Sequence, residues 1–249
     1  MRPVLADLHI HTVLSPCAEV EMIPPLIVRR AQELGLGLIA ITDHNACDNA
    51  SAVQEAARGS GVTVLPGLEL QTREEVHILC LFFSSQSCRQ WHDHVQALLP
   101  DLPNDEDHFG PQFVVDATGE WARTEERLLA ASADLTVEEA VQGVHSLGGL
   151  AIAAHVDRPS YSLISNLGFI PQNFRADALE VTPRFVPSTG YAKWPQLADW
   201  PLVVSSDAHR LCEMQRRTLF RIADPKGSDL PMALRGEGGR SARVHWPAA

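Results

Sequence analysis

Positive charge is scarce in this chain. Its 249 residues carry 20 Lys and Arg against 31 Asp and Glu, a formal net charge of −11 with histidine neutral. Such a balance creates no field to hold a polyanion at long range, which argues against a processive duplex binder. Duplex nucleic acid is therefore not expected as a partner. A nucleotide or a strand end is still admitted, because bound metal ions reverse the local charge. Long apolar runs are missing as well. No stretch approaches the roughly 18 residues of a membrane helix, and Asp7 interrupts the N-terminal apolar run too early for a signal peptide. No membrane association is expected. Cysteines number five and form no CxxC pair. That excludes a zinc ribbon or disulfide framework and points to a reducing cytoplasm.

What is present is histidine, at chosen places. The run Asp7-Leu8-His9-Ile10-His11-Thr12 ends a short apolar segment. On a strand, residues i and i+2 face the same side, so His9 and His11 project together as two imidazoles on one metal must. An HxH alone is weak, and partners must be found. Short apolar runs at 4–10, 37–42, 62–65, 75–83, 150–154, 178–181 and 202–205 read as strands. Helical patterns at 24–34, 49–58 and 137–147 alternate with them. Pro24 and Pro25 open the first helix and Gly35 closes it. Alternating strands and helices imply parallel β/α units, and about seven strands suggest an α/β barrel, distorted or incomplete. A TIM-like barrel commonly fills this length.

Each polar cluster follows a strand. His9 and His11 end the first, Asp43 and His44 the second, and Glu69 follows the third. His77 lies at the fourth, His155 ends Ala151-Ile152-Ala153-Ala154, and Asp207 and His209 follow Val203-Val204-Ser205-Ser206. Carboxyl ends of barrel strands converge on one face, where active sites form. Any one of these residues alone could be a packed histidine, a helix cap or a solvated acid. Their joint placement points to a pocket with ligands for two or three divalent ions. Imidazole with carboxylate and no thiolate suits Zn, Mn or Fe.

Other polar residues read as bystanders. His92 and His94 form a second HxH, but in a helical pattern where i and i+2 diverge, and they read as a solvated face. His108, His145 and His245 have no strand-end context. Cys17 and Cys47 lie near the motifs, and small apolar packing is the simpler reading than ligation. Residues 84–134 break the β/α rhythm with an acidic, turn-rich stretch and read as a lid-like insertion in a barrel domain spanning 1–225. Residues 226–249, rich in Gly and Arg, read as a loosely ordered tail.

Taken as a set, Asp7-Leu8-His9-x-His11-Thr12, Ile41-Thr42-Asp43-His44, Gly67-x-Glu69, His77, His155 and Ser206-Asp207-x-His209 resemble the PHP (polymerase and histidinol phosphatase) family. Leu14-Ser15-Pro16-Cys17-Ala18 and the stretch from Thr72 to His77 resemble its stand-alone bacterial phosphoesterase branch. The resemblance implies a distorted (β/α)7 barrel and a multinuclear site. His9, His11, Glu69 and Asp207 would hold one ion. Glu69 would bridge to a second on His77 and His155, and His44 and His209 would hold a third. Many relatives carry an acid or histidine where this chain has Pro16, so either Glu19 or Glu21 would substitute by a different loop path or the third ion would bind weakly. Asp43 would orient a ligand or water. With His155 and Arg158 it makes up the residues assigned to catalysis. Arg158 and Arg184 would bind phosphate oxygens.

The activity so implied is hydrolysis of a small phosphomonoester or nucleotide by a metal-activated hydroxide. Narrower alternatives are a histidinol-phosphate phosphatase and an exonuclease acting at 5′ ends. A different class altogether is a non-catalytic metal-binding scaffold or sensor. Substrate and oligomeric state stay open.

Overall fold

The protein's structure, a computed structural model, describes residues 1–225, 227 and 229–246. Its first half runs β1 (Arg2–Ile10), α1 (Pro24–Leu34), β2 (Leu38–Ile41), α2 (Ala50–Ala56), β3 (Thr63–Gln71) and β4 (His77–Leu81). Next come α3 (Ser85–Leu98), α4 (Glu106–Phe109), β5 (Phe113–Val115), β6 (Trp121–Thr124), α5 (Val137–Ser146) and β7 (Leu150–Ala153). The remainder holds α6 (Leu163–Leu167), β8 (Ala178–Glu180), α7 (Pro187–Lys193), β9 (Leu202–Val203), β10 (Thr218–Ile222), α8 (Asp229–Leu234) and β11 (Ser241–Val244). No helix among the described residues is long and apolar enough to cross a membrane.

Nine strands form one sheet in the order β11-β10-β1-β2-β3-β4-β7-β8-β9. Past β9, Ala208 bridges back to Ile10 in parallel. Ala208 N–H donates to His9 O (3.2 Å) and His11 N–H to Ala208 O (3.0 Å). The strands from β1 to β9 thus close into a nearly complete seven-stranded barrel, the distorted α/β barrel expected. β10 and β11 extend it antiparallel along the outer edge of β1.

One expectation of direction fails. β4 runs antiparallel to both β3 and β7 rather than parallel. Residues 72–76 make a tight turn, with Thr72 N–H on Val76 O (2.9 Å) and Val76 N–H on Thr72 Oγ1 (3.2 Å). Five residues cannot build the crossover that a parallel pair needs. The register pairs Gln71 with His77. His77 begins its strand, yet it lies at the barrel end where the other motif residues finish theirs.

Two apolar layers hold the barrel. Val4, Ala6, Leu8, Leu38, Ala40, Leu65, Leu79, Leu81 and Ile152 pack in one cluster, the barrel interior. The outward faces of the strands pack under α1, α3 and α5 in the other. Val4, Ala6 and Leu8 belong to the interior, but Ile10 belongs to the outer layer. The β1–β2 register is irregular between Asp7 and Ile10. A bulge there breaks the two-residue alternation, so Asp7 faces outwards while His9 and His11 turn inwards.

The tail is not loosely ordered where it is described. Leu230, Ala233 and Leu234 of α8, at helical spacing, join the interior cluster, and β11 pairs with β10. Burial of these side chains orders the segment. Residues 226, 228 and 247–249 of that expected tail lie outside the described residues.

The 84–134 segment likewise divides. α3 carries Trp91 and Val95 in the outer apolar layer, as one of the barrel's own helices. The remainder is tied down: Phe113 N–H donates to Val13 O (2.9 Å), Asn49 Nδ2 to Phe113 O (2.9 Å), and Asn45 Nδ2 to Leu129 O and Ala131 O (both 2.7 Å). It braces the loops after His11 and His44.

Gly67 sits in β3 between β2 and β4 with no room for a side chain. A Cβ there would meet Cys80 O at 2.7 Å, Leu81 Cδ2 at 2.9 Å and Ile41 O at 3.3 Å. Backbone oxygens cannot swing aside. Gly67→Ala should therefore cost about 1–3 kcal/mol in denaturant unfolding, and displace Glu69 two residues on. At α5's end, His145 Nε2 donates to Asp177 Oδ2 (2.8 Å), which raises the imidazole pKa. The stabilisation is full below the unfolded-state pKa and is lost as pH rises through the folded one. His145→Gln should lower Tm at about pH 5.5 and change it little at about pH 8.5.

Candidate metal centre

At the barrel mouth, one carboxylate meets five imidazoles. Glu69 is 1% exposed. Its Oε1 lies 2.8 Å from His77 Nδ1, 3.1 Å from His155 Nε2 and 3.2 Å from His9 Nε2. Its Oε2 lies 3.0 Å from His44 Nδ1 and 3.4 Å from His11 Nε2. Asp207 Oδ1 completes the near side, 3.2 Å from His9 Nε2 and 3.3 Å from His11 Nε2. His209 stacks on His11 with ring centroids 4.1 Å apart. All eight residues expected as metal ligands converge. Two of them, His155 and Asp207, hold left-handed backbone conformations, with φ of 31° and 53°. Such strain costs on the order of 1–3 kcal/mol and is found where function demands a direction.

Burial and charge oppose each other throughout. Burial alone would raise the Glu69 carboxyl, but the charges of His77 and His9 and hydrogen bonds from His155 and His44 hold it well below its usual range. Asp207 is depressed likewise by His9 and His11. His9 is pushed well above its ordinary value, because Asp207, Glu69 and Glu180 outweigh burial. His11 goes the other way, lowered by burial and by the facing His209.

The donors fit divalent ions. His9 Nε2 and His11 Nε2 stand 3.1 Å apart. At metal–nitrogen distances of about 2.0–2.1 Å, two donors at a tetrahedral angle lie about 3.3 Å apart. Among the described residues, His155 Nδ1 is buried without a hydrogen-bond partner, an arrangement that is costly unless something else satisfies it. Ligand atoms cluster within 4.8 Å in three sets: His9, His11, Glu69 and Asp207; His44, Glu69 and His77; and His11, His44 and His209. The first matches the set that the family resemblance implies. The second has His44 where His155 was expected, and the third adds His11.

Behind these side chains stand residues that fix their direction. Glu180, at the end of β8, accepts from His9 Nδ1 (2.9 Å) and from His155 N–H (3.1 Å). Glu180 is not among the residues expected from the sequence, although an acid ending a strand is the same signal that marks the others. Ser15 accepts from His11 Nδ1 (2.9 Å) and donates to Asp43 Oδ1 (2.7 Å). Asp43 also takes Thr12 N–H (2.7 Å) and Thr12 Oγ1–H (2.8 Å). Through Ser15 it stands behind His11, the orienting place expected of it, and its bonds to Thr12 hold the loop after His11. Asp7 accepts from Ser206 N–H (2.9 Å) and Gln215 N–H (3.0 Å), anchoring the loop that carries Asp207. Burial pushes its carboxyl up to about 6.

The remaining expectations scatter. Arg158 Nη1 reaches Asp207 Oδ2 at 2.7 Å and borders the centre. Arg184 is exposed, with no ion pair to the cluster among the described residues. Glu19 is exposed and pairs with Arg210 (2.7 Å), and Glu21 is exposed too, so neither is in the substitute position expected of it. His92 corrects the solvated-face reading: it is buried and accepts Cys47 N–H (3.2 Å), whereas His94 is exposed. Cys47 is packed as expected. Cys17 is not. Its Sγ lies 3.4 Å from His44 Nε2. Partial desolvation would raise the thiol of this exposed residue, but hydrogen bonds to His209 and His44 bring it down to about 6.

Comparison with known proteins agrees with the motifs. The family model of the PHP domain matches residues 7–172, and the chain belongs to that family. It is 26% identical over 203 residues to the 5′-3′ exoribonuclease Rnm of Escherichia coli, covering 64% of this chain and 68% of that one. Over 83 residues it is 36% identical to Rnm of Salmonella typhimurium, covering 31% of this chain and only 27% of that protein. Among solved structures, the lesion-specific endonuclease PfuEndoQ of Pyrococcus furiosus superposes with a TM-score of 0.71 at 21% identity, over 97% of this chain and 58% of the other. A putative metal-dependent phosphoesterase of Bifidobacterium adolescentis gives 0.57 at 20%, over 82% and 87%. Endonuclease Q is also known in complex with a 27-mer duplex substrate carrying an abasic lesion at the active site, with a TM-score of 0.68. The exclusion of duplex nucleic acid from net charge therefore does not stand, because that neighbour, of similar fold, takes a duplex substrate.

Glu180→Gln removes the negative charge behind His9. It should weaken metal binding by about 10–100-fold, measured by competition with a chelator, with the circular dichroism spectrum unchanged.

Proposed function

We propose that this protein is a metal-dependent phosphoesterase acting on the phosphate of a nucleotide or a nucleic-acid end. The observation that carries this reading is the Glu69 carboxylate shared by five imidazoles, with Asp207 beside it. So many donors around one acid exceed the needs of a single ion and suit two or three, taken from Zn, Mn or Fe. Bound ions supply Lewis acidity and an acidified water for attack at phosphorus.

The chain's own side chains do the rest. Glu180 and Ser15 hold His9 and His11 by their Nδ1 atoms, so that both present Nε2 to the centre. Arg158 spends one N–H on Asp207 and keeps donors for a phosphate oxygen. Tyr161, 42% exposed, stacks on His77 with centroids 5.0 Å apart. It offers an aromatic face at the rim, where a nucleobase can stack. The Rnm resemblance supports a substrate of this class.

The test is hydrolysis of an aryl phosphate and of a 5′-phosphorylated oligonucleotide, with Mn or Zn and with a chelator. Turnover should require metal and fall more than about 100-fold in Asp207→Ala. Wild-type protein that binds metal but turns over neither compound, nor nucleotides or histidinol phosphate, would leave a scaffold or sensor instead.

A further inference from the structure

We propose that Cys17 is a metal ligand. Its thiolate joins His44 and His209 in a nitrogen–sulfur position of the centre that takes zinc in preference to manganese or iron(II). This rests on the metal-centre reading above.

The geometry comes from the loop after His11. Pro16 cannot ligate, and its carbonyl is packed so closely under Gly110 that a Cβ there would collide with it. The chain then turns back, and Glu19 N–H donates to His209 O (2.9 Å). That hydrogen bond lays residues 17–19 alongside His209. Cys17 Sγ arrives 3.4 Å from His44 Nε2. An ion bound at about 2.3 Å from sulfur and about 2.0–2.1 Å from nitrogen, at a tetrahedral angle, sets those atoms about 3.6 Å apart.

The imidazoles are turned to match. His209 Nδ1 donates to Asp207 O (3.0 Å), which leaves Nε2 as its ligand atom. His44 Nδ1 faces Glu69 Oε2 at 3.0 Å, so Nε2 is the nitrogen presented to Cys17. A carboxylate behind a ligating imidazole is the arrangement that raises its basicity. His11 lies within ligand reach of both and supplies a further nitrogen where it is not committed to His9's ion. A thiolate among imidazoles selects zinc over the harder metals that carboxylate sites accept.

Cobalt(II) reports the ligand directly. Apo-protein titrated with Co(II) should develop a thiolate-to-cobalt charge-transfer band in the near ultraviolet. In Cys17→Ser that band should vanish while the visible bands of the nitrogen–oxygen positions remain. Cobalt binding without the band in wild type, or a band that survives in Cys17→Ser, overturns the proposal. Failure to bind cobalt at all overturns the metal-centre reading instead. A second measurement keeps Cys17 intact. In Cys212→Ser, which removes the other exposed cysteine, zinc should slow maleimide labelling of Cys17 by more than about tenfold and manganese should leave the rate unchanged. Equal protection by both metals, or by neither, overturns the zinc-selective thiolate.

Discussion

The barrel mouth is organised around a buried carboxylate that five imidazoles approach within 3.4 Å. Such a group is tolerable only while its counter-charges stay in place, because burying an unpaired carboxylate costs several kcal/mol. Glu69 therefore constrains its neighbours as strictly as they constrain it. Strands β1, β2, β4 and β7 each deliver an imidazole to it from a strand end, and the segment after β9 delivers Asp207 and His209. Their convergence is a direct consequence of barrel closure through the Ile10–Ala208 bridge.

Two local departures from regular structure make this convergence work. The bulge in β1 reverses the alternation, so His9 and His11 face the interior that Val4, Ala6 and Leu8 occupy lower down. The tight 72–76 turn reverses β4, so a histidine at a strand's start reaches the same end as those at other strands' finishes. Behind them, Glu180, Ser15, Asp43 and Asp7 hold ligands and loops through short hydrogen bonds. The 84–134 segment, rather than hovering over the mouth as a lid, braces the loops after His11 and His44.

Charge taken over the whole chain was a poor guide to partners. A net charge of −11 suggested that duplexes are repelled, but recognition is local, and a whole-chain sum does not say where the charges lie. The same fold accommodates a duplex in Endonuclease Q. Arg158 at the rim of the site and the exposed face of Tyr161 are features that a summed charge does not register.

Much of the centre was legible in the sequence. Metal ligation requires particular side chains, and residues of those types stand at strand ends, so the eight candidates could be named, and the fold brings their side chains together around Glu69. The barrel was legible for a similar reason: apolar runs of strand length alternate with helical patterns. The sequence alone could not decide which partner each side chain would find across long chain separations. Glu180 lies 171 residues from the His9 it orients, and only closure brings them together. Strand direction at β4 depended on turn geometry, and the order of the tail depended on α8 finding the open end of the interior cluster. Cys17 looked like small apolar filling, because nothing in its immediate neighbours reveals that the loop folds back over His209. Residue types determined which chemistry was available. The path of the backbone through space decided which atoms would perform it, since contacts between distant segments exist only in the folded chain.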